Sequence, residues 1–349
     1  MTSDSSIKKV LITGGAGYVG AVLTPQLLAA GYCVKILDLF LYGKDVLPTG
    51  NLAADLKLVE GDIRDEEAVT EAAEGCDAVI HLACISNDPS FELDPELGKT
   101  INFDAFEPLV RISKEAGVKR FIYASSSSVY GVSDAPRVDE QHPLDPLTDY
   151  SKYKALCEPI LLDYQSSDFV PVIVRPATVC GFSPRQRLDL VVNILTAHAV
   201  INGKIRVFGG DQMRPNLHVA DVVDLYQLLL ELPDDQVAGE VFNVGFENHS
   251  VMDLANLVKR VVQEELPDRE VIEIAVEPTQ DDRSYRITSD KVQSKIGFEP
   301  KRTIEDAIRE LVHAIRDGKL PGAPGGLAYH NVATMRDVNL GSGTAAPSS

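Results

Sequence analysis

Apolar residues in the first half of the chain fall in short, near-continuous runs at 8–13, 33–37, 56–60, 77–83, 119–124 and 170–174. The stretches between them carry the helical spacing of apolar and polar positions, at 21–32, up to about 73, near 95–116 and from 149 onward. Strands that are apolar throughout are buried on both faces, and their alternation with helices marks a parallel sheet of βαβ units. The pattern returns once more, with a helix at 220–232 and a strand at 240–244. The fold class expected is therefore α/β, a doubly wound parallel (Rossmann) sheet with a smaller C-terminal lobe. Its large domain spans 1–175 and is completed by about 212–246. The remainder, 176–211 and 247–331, loses the alternation, keeps helices near 188–202, 250–265 and 303–317, and reads as a small capping lobe. The tail at 332–349 ends in small and polar residues from Gly341 to Ser349 and is expected to be disordered.

The turn after the first strand runs Gly14-Gly15-Ala16-Gly17-Tyr18-Val19-Gly20 and opens a helix, which is the context that makes a glycine turn a dinucleotide fingerprint. Gly14 suits the tight turn, Gly17 lets backbone approach a pyrophosphate, and Gly20 lets the helix pack closely on the strand. The helix N-terminus adds unpaired N–H groups and partial positive charge. The second strand ends in Asp38, 18 residues after Gly20. A carboxylate there accepts hydrogen bonds from ribose hydroxyls and repels a 2′-phosphate, so the cofactor expected is NAD rather than NADP.

Tyr150 and Lys154 stand four apart after a Pro/Asp-rich loop, so a helix beginning there places phenol and ammonium on one face. An ammonium beside a phenol favours phenolate and suits it to act as a general base toward an alcohol. Such pairs are common on solvated helix faces, and this one gains meaning from its surroundings. The fifth strand runs into Ser125-Ser126-Ser127-Ser128 about 24 residues earlier, on the carboxyl edge where α/β sheets bind ligands. A serine there can align the reacting hydroxyl with the phenol.

Acidic residues exceed basic ones by 52 to 33 and give a net charge of −19, which argues against nucleic-acid or membrane-surface binding. A phosphate-bearing ligand then needs local arginines. The five cysteines, Cys33, Cys76, Cys84, Cys157 and Cys180, are scattered and odd in number. They read as reduced residues of a cytoplasmic protein, with neither a disulfide framework nor a metal site. The sequence shows no 18-residue apolar span and no basic leader followed by an apolar segment, so membrane insertion and secretion are not expected.

Taken in order, TGGAGYVG, Asp38, GDI at 61–63, HLA at 81–83, SSSSVYG, YSKYK and RPATVCG resemble the extended short-chain dehydrogenase/reductase family of NAD-dependent nucleotide-sugar epimerases and dehydratases. The resemblance covers roughly 7–320 and implies a nucleotide-diphosphate sugar as substrate and a homodimer through the helices near 95–116 and 150–166. It implies that Asp62 and Ile63 flank the adenine, that Leu82 and Ala83 lie along the cofactor, and that Asn102 bonds near the fourth strand. Tyr150 would be the base, Lys154 its partner and a nicotinamide-ribose ligand, and Ser126 the aligning hydroxyl. Tyr18 and Val19 would belong to the cofactor turn, and Pro176 to Val179 would face the nicotinamide. Arg214 and Arg283 resemble the family's arginines for the nucleotide diphosphate, which suits their planar two-donor forks. Arg185, Arg187, Ser86, Ser127, Ser128 and Thr178 complete the expected sugar pocket. Ser127 and Ser128 stand where the dehydratase subgroup carries an Asp-Glu pair, which disfavours elimination of water. Thr178 and Ser86 depart from the UDP-galactose epimerase pattern, and ATVCGFSPRQRLDLVVN is similar to a GDP-heptose 4-dehydrogenase branch. The reading is an epimerase that oxidises sugar C4 transiently, with a net 4-dehydrogenase or 4-ketoreductase as the alternative. A non-catalytic NAD-binding regulator is more remote, because Tyr150 and Lys154 are both present.

Overall fold

The computed structural model describes residues 7–279 and 283–338. Six strands, β1 (Lys9–Thr13), β2 (Cys33–Asp38), β3 (Leu56–Glu60), β4 (Ala78–His81), β5 (Arg120–Ala124) and β6 (Val170–Pro176), are joined by Glu240–Val244 in one sheet. The order is Glu240–Val244, β6, β5, β4, β1, β2, β3, and every pairing is parallel. This is the doubly wound arrangement expected, with the reversal of strand order at β1.

Neighbouring residues along each strand point to opposite faces, and both faces are apolar. Val10, Ile12, Ile36, Ile80, Ile122 and Val172 pack with the helices Gly20–Ala29 and Val219–Glu231. Leu11, Leu37, Val79, Phe121, Tyr123 and Ile173 pack with Glu66–Ala73, Phe106–Glu115 and Asp149–Asp163. The helix expected over 95–116 is broken into Pro95–Lys99, a π-turn at Thr100–Asp104 and Phe106–Glu115. Pro108 is the cause: it has no N–H to give to residue 104, and its ring crowds that carbonyl.

The smaller lobe packs helices Val191–Asn202, Val251–Glu265 and Ile304–Arg316 around Val192, Leu195, Val258 and Ile308. A parallel pair, Lys204–Phe208 with Glu273–Glu277, flanks them. Leu217 of the segment expected to return to the large domain at about 212 packs in that domain's core with Val174 and Val222. Met213–His218 forms the centre of a three-stranded sheet with Thr178–Cys180 and Glu247–Ser250. The expected disordered tail is corrected in part: Asn331–Asp337 is a helix, with Asn331 buried and Met335 packed against the core cluster that holds Phe91 and Ile101. A single buried amide and one thioether gave no periodic signal. Residues 339–349, including the polar stretch from Gly341, lie outside the described residues.

Beneath the carboxyl edge lies a buried ionic network. Arg175 on β6 grips Glu158 of the helix Asp149–Asp163 through Nε (2.9 Å) and Nη2 (2.5 Å). Its Nη1 donates to Tyr130 Oη at 2.7 Å, and Tyr130 donates to Asn243 Oδ1 at 2.7 Å. Removing one member of such a pair strands the other charge in a dry site. Arg175→Met should therefore cost about 3–5 kcal/mol of unfolding free energy, read from urea denaturation; an unchanged midpoint would show the network to be dispensable.

Candidate active site

The glycine turn sits where β1 ends between β2 and β4. Gly14 has φ +74°, and a Cβ there would lie 2.7 Å from the Ala83 backbone nitrogen, so no side chain fits. A Cβ on Gly17 would meet only the Gly14 carbonyl, at 3.1 Å, which leaves the turn open toward the cavity. Gly20 serves the turn itself rather than the strand, since its Cβ would stand 2.5 Å from the Gly15 carbonyl. Asp38 accepts the N–H of Ala16 (2.9 Å) and of Phe40 (2.8 Å), so the acid expected to meet a ribose also braces the turn. Burial raises its pKa, and those backbone N–H bonds oppose the rise. Tyr18 ties the turn to the smaller lobe: its hydroxyl donates to the Gly181 carbonyl (2.7 Å), and Ser183 Oγ donates to its carbonyl (2.7 Å). A bare turn with an acid at its flank is a cradle that a dinucleotide fits.

Thr148 and Ser151 form a reciprocal cap that starts the helix Asp149–Asp163 and sets Tyr150 in its first turn. Lys154, one turn on and buried, donates to the Ala124 carbonyl at the end of β5 at 2.6 Å. Its Nζ lies 5.0 Å from the centre of the Tyr123 ring and 6.0 Å from that of Tyr150. Burial outweighs the lowering expected of the ammonium. Burial drives Tyr150 well above its ordinary value, Cys84 and Asp88 add to the rise, and Arg187 and the Ser126 hydroxyl oppose it. Ser126 Oγ accepts the Ser128 N–H (3.1 Å) and lies 2.9 Å from Ser128 Oγ. Ser127 is buried, its hydroxyl 3.4 Å from that of Tyr285. His81 stacks on Tyr123 and bonds Thr13, and burial takes its pKa down to about 3, so it stays neutral beneath the site.

These groups surround one cavity of about 840 Å³. Gly14, Gly17, Tyr18, Val19, Gly20 and Asp38 line one end, with Asp62 and Ile63 beside them. Leu82, Ala83 and Ser86 follow from β4, Ser126, Ser127 and Ser128 from β5, Tyr150 and Lys154 from the helix, and Pro176, Thr178 and Val179 from β6. Arg185, Arg187, Arg214 and Arg283 come from the smaller lobe. Asn102 does not line it. The π-turn places its amide behind the wall, where Oδ1 accepts the Ile85 N–H (2.8 Å) and Nδ2 donates to the Ile85 carbonyl (3.0 Å). Asp62 is held by Arg64 Nη2 at 2.6 Å.

Sequence reasoning missed Tyr42, Asp88, Asp189, Tyr285 and Asn331, which also line the cavity. Asp88 accepts from Thr148 and from Arg283, joining the helix cap to the smaller lobe. Asp189 pairs with Arg187 at 2.9 and 3.0 Å, a spacing of two residues that was readable. Asn331 donates to Ser86 Oγ (2.8 Å) across 245 residues, which no local pattern reveals.

The fold and site define a dinucleotide-binding α/β enzyme with a tyrosine, a lysine and a serine at the end of its sheet. The chain belongs to the NAD dependent epimerase/dehydratase family, whose model matches residues 10–245, and its cofactor is NAD. It is 31% identical over 327 residues to dTDP-D-glucose 4,6-dehydratase of Mus musculus, covering 89% of this chain and 90% of that one. It is 27% identical to UDP-glucose 4-epimerase of Lactobacillus helveticus, covering 86% and 94%. Among solved structures, MoeE5 in complex with UDP-glucose and NAD is similar, with a TM-score of 0.76 and 26% identity over 89% of this chain and 99% of that one. Asp38→Ala should shift the ratio of NAD⁺ to NADP⁺ affinities toward NADP⁺ by about tenfold or more, since hydrogen bonds to a charged group are worth about 1.5–3 kcal/mol. Fluorescence titration with both nucleotides checks this, and an unchanged ratio would remove Asp38 from cofactor choice.

Proposed function

We propose that the chain is an NAD-dependent nucleotide-sugar epimerase that works by transient oxidation at sugar C4. The observation that carries this reading is the meeting of Tyr150, Lys154 and Ser126 on one cavity with the glycine turn, while Ser127 and Ser128 occupy the places of the dehydratase acids. Ser127 is turned into the contact with Tyr285 and Ser128 is bonded to Ser126, so neither offers a strong acid to a leaving hydroxyl. The names of the relatives support a nucleotide sugar, and both reactions occur among them.

Bound NAD would supply the hydride acceptor, and the positive charge of its oxidised form would oppose the effect of burial on the Tyr150 phenol. Gly14, Gly17, Asp38 and Lys154 would hold it. Tyr150 then takes the proton of the C4 hydroxyl as that carbon is oxidised, with Ser126 fixing the hydroxyl oxygen. The keto sugar turns over in the cavity, and Tyr150 returns the proton as the carbon is reduced on its other face. Lys154 keeps the phenol side of the site positive throughout, and Arg214 and Arg283 hold the diphosphate that stays fixed while the sugar turns.

Incubation with UDP-, GDP- and dTDP-sugars, following reduced-nicotinamide absorbance and product stereochemistry, tests the reading. An inverted product without net reduced nicotinamide supports it. Accumulating reduced nicotinamide gives the net 4-dehydrogenase, and loss of water overturns the role given to Ser127 and Ser128. Tyr150→Phe should lower turnover by about 10²- to 10⁴-fold with NAD still bound; retained turnover would refute the base.

A further inference from the structure

Four arginines are buried among the described residues: Arg120, Arg175, Arg185 and Arg187. Arg120 pairs with Asp234, Arg175 with Glu158 and Arg187 with Asp189. Arg185 is 3% exposed and forms no ion pair among the described residues. Its Nε and Nη1 have no hydrogen-bond partner there, and Nη2 donates to the neutral Asn331 amide, at 2.5 Å. Its guanidinium lies 3.5 Å above the centre of the Tyr42 ring. Asp189 and Asp38 act on it only from beyond ion-pair distance, and a buried cation so weakly compensated gains where an anion comes to the adjoining cavity.

The strand order says where that anion sits. Tyr42 follows β2, and Ser86, tied to Arg185 through Asn331, follows β4. β1 and its glycine turn lie between these two strands. The loop bearing Arg185 is fastened to the same turn by Ser183 and Tyr18. Arg187, two residues on, is instead neutralised by Asp189 and bonded to Ser86 at 3.3 Å. Arg214 and Arg283 lie elsewhere, with the Arg214 guanidinium bonded to the Arg283 carbonyl.

We propose that Arg185, stacked on Tyr42 and tethered by Asn331, closes over the glycine turn and binds the pyrophosphate of the dinucleotide from the side opposite the helix N-terminus. This moves Arg185 from the sugar pocket, where the sequence put it, to the cofactor. It also gives the C-terminal helix Asn331–Asp337 a task, because Asn331 joins Arg185, Tyr42 and Ser86 in one clasp. Such a clasp retains the cofactor between turnovers. The inference rests on NAD at the glycine turn and not on the epimerase reading, and its readout is binding.

The test is calorimetric titration of the full chain, cleared of co-purified nucleotide, with NAD⁺, ADP-ribose and UDP. Arg185→Gln should weaken NAD⁺ and ADP-ribose in parallel by about 10- to 100-fold, leaving UDP within about twofold, and Arg185→Lys should recover part of the loss because the charge remains. Asn331→Ala, which leaves the guanidinium and removes its tether, should speed NAD⁺ release. Unchanged NAD⁺ affinity overturns the proposal. So does a loss confined to UDP, which would give Arg185 to the substrate, or a loss for NAD⁺ that spares ADP-ribose, which would place it at the nicotinamide. Should Arg185→Gln fail to fold, Arg185→Lys and Asn331→Ala decide the matter by the same readings.

Discussion

The bond from the Lys154 ammonium to the Ala124 carbonyl holds the site together. It joins the helix Asp149–Asp163 to the last residue of β5, at the edge where the serine turn begins. One helical turn on, Glu158 makes a second anchor, accepting from Ser125 Oγ at 2.6 Å and from Arg175. Tyr150 lies one turn before the first anchor, so its phenol is placed by the sheet and not by a mobile loop. A reacting group gains most from such rigidity when its support is itself buried and bonded, as here. The Lys154 ammonium is bonded to a backbone carbonyl, and burial is the largest influence on the phenol, raising its pKa.

Charge is arranged locally against the sign of the whole. The chain carries −19, yet its cavity draws Arg185, Arg187, Arg214 and Arg283 from the smaller lobe. Asp88 and Asp189 answer two of them and also fasten that lobe to the large domain, Asp88 through the cap of the catalytic helix and Asp189 through Asn87 (2.8 Å). Ion pairs inside the cavity therefore act as joints between domains. Arginines held in this way are already ordered and partly desolvated, which lowers the ordering cost of any anion bound there.

What the sequence by itself determined follows from local rules. Short, near-continuous apolar runs bounded by turn residues and alternating with helical spacing mark strands covered on both faces, which made most of the sheet readable; β3, with only Val59 buried, was readable from its place in the alternation. Gly14 and Asp38 were readable because a turn at positive φ and an acid at a strand end are local requirements. Tyr150 and Lys154 were readable because helical spacing fixes which residues share a face.

Tertiary structure decided what depends on meetings across the chain. Asn331 reaches Ser86 only because the C-terminal helix folds back over the cavity. Met213–His218 finds its strand partners on both sides in distant segments. Whether a buried arginine has a counter-charge is likewise invisible until its neighbours are assembled. Spacing along a chain encodes which way side chains point within one element, whereas the burial that sets a charge's cost is a property of the packed whole.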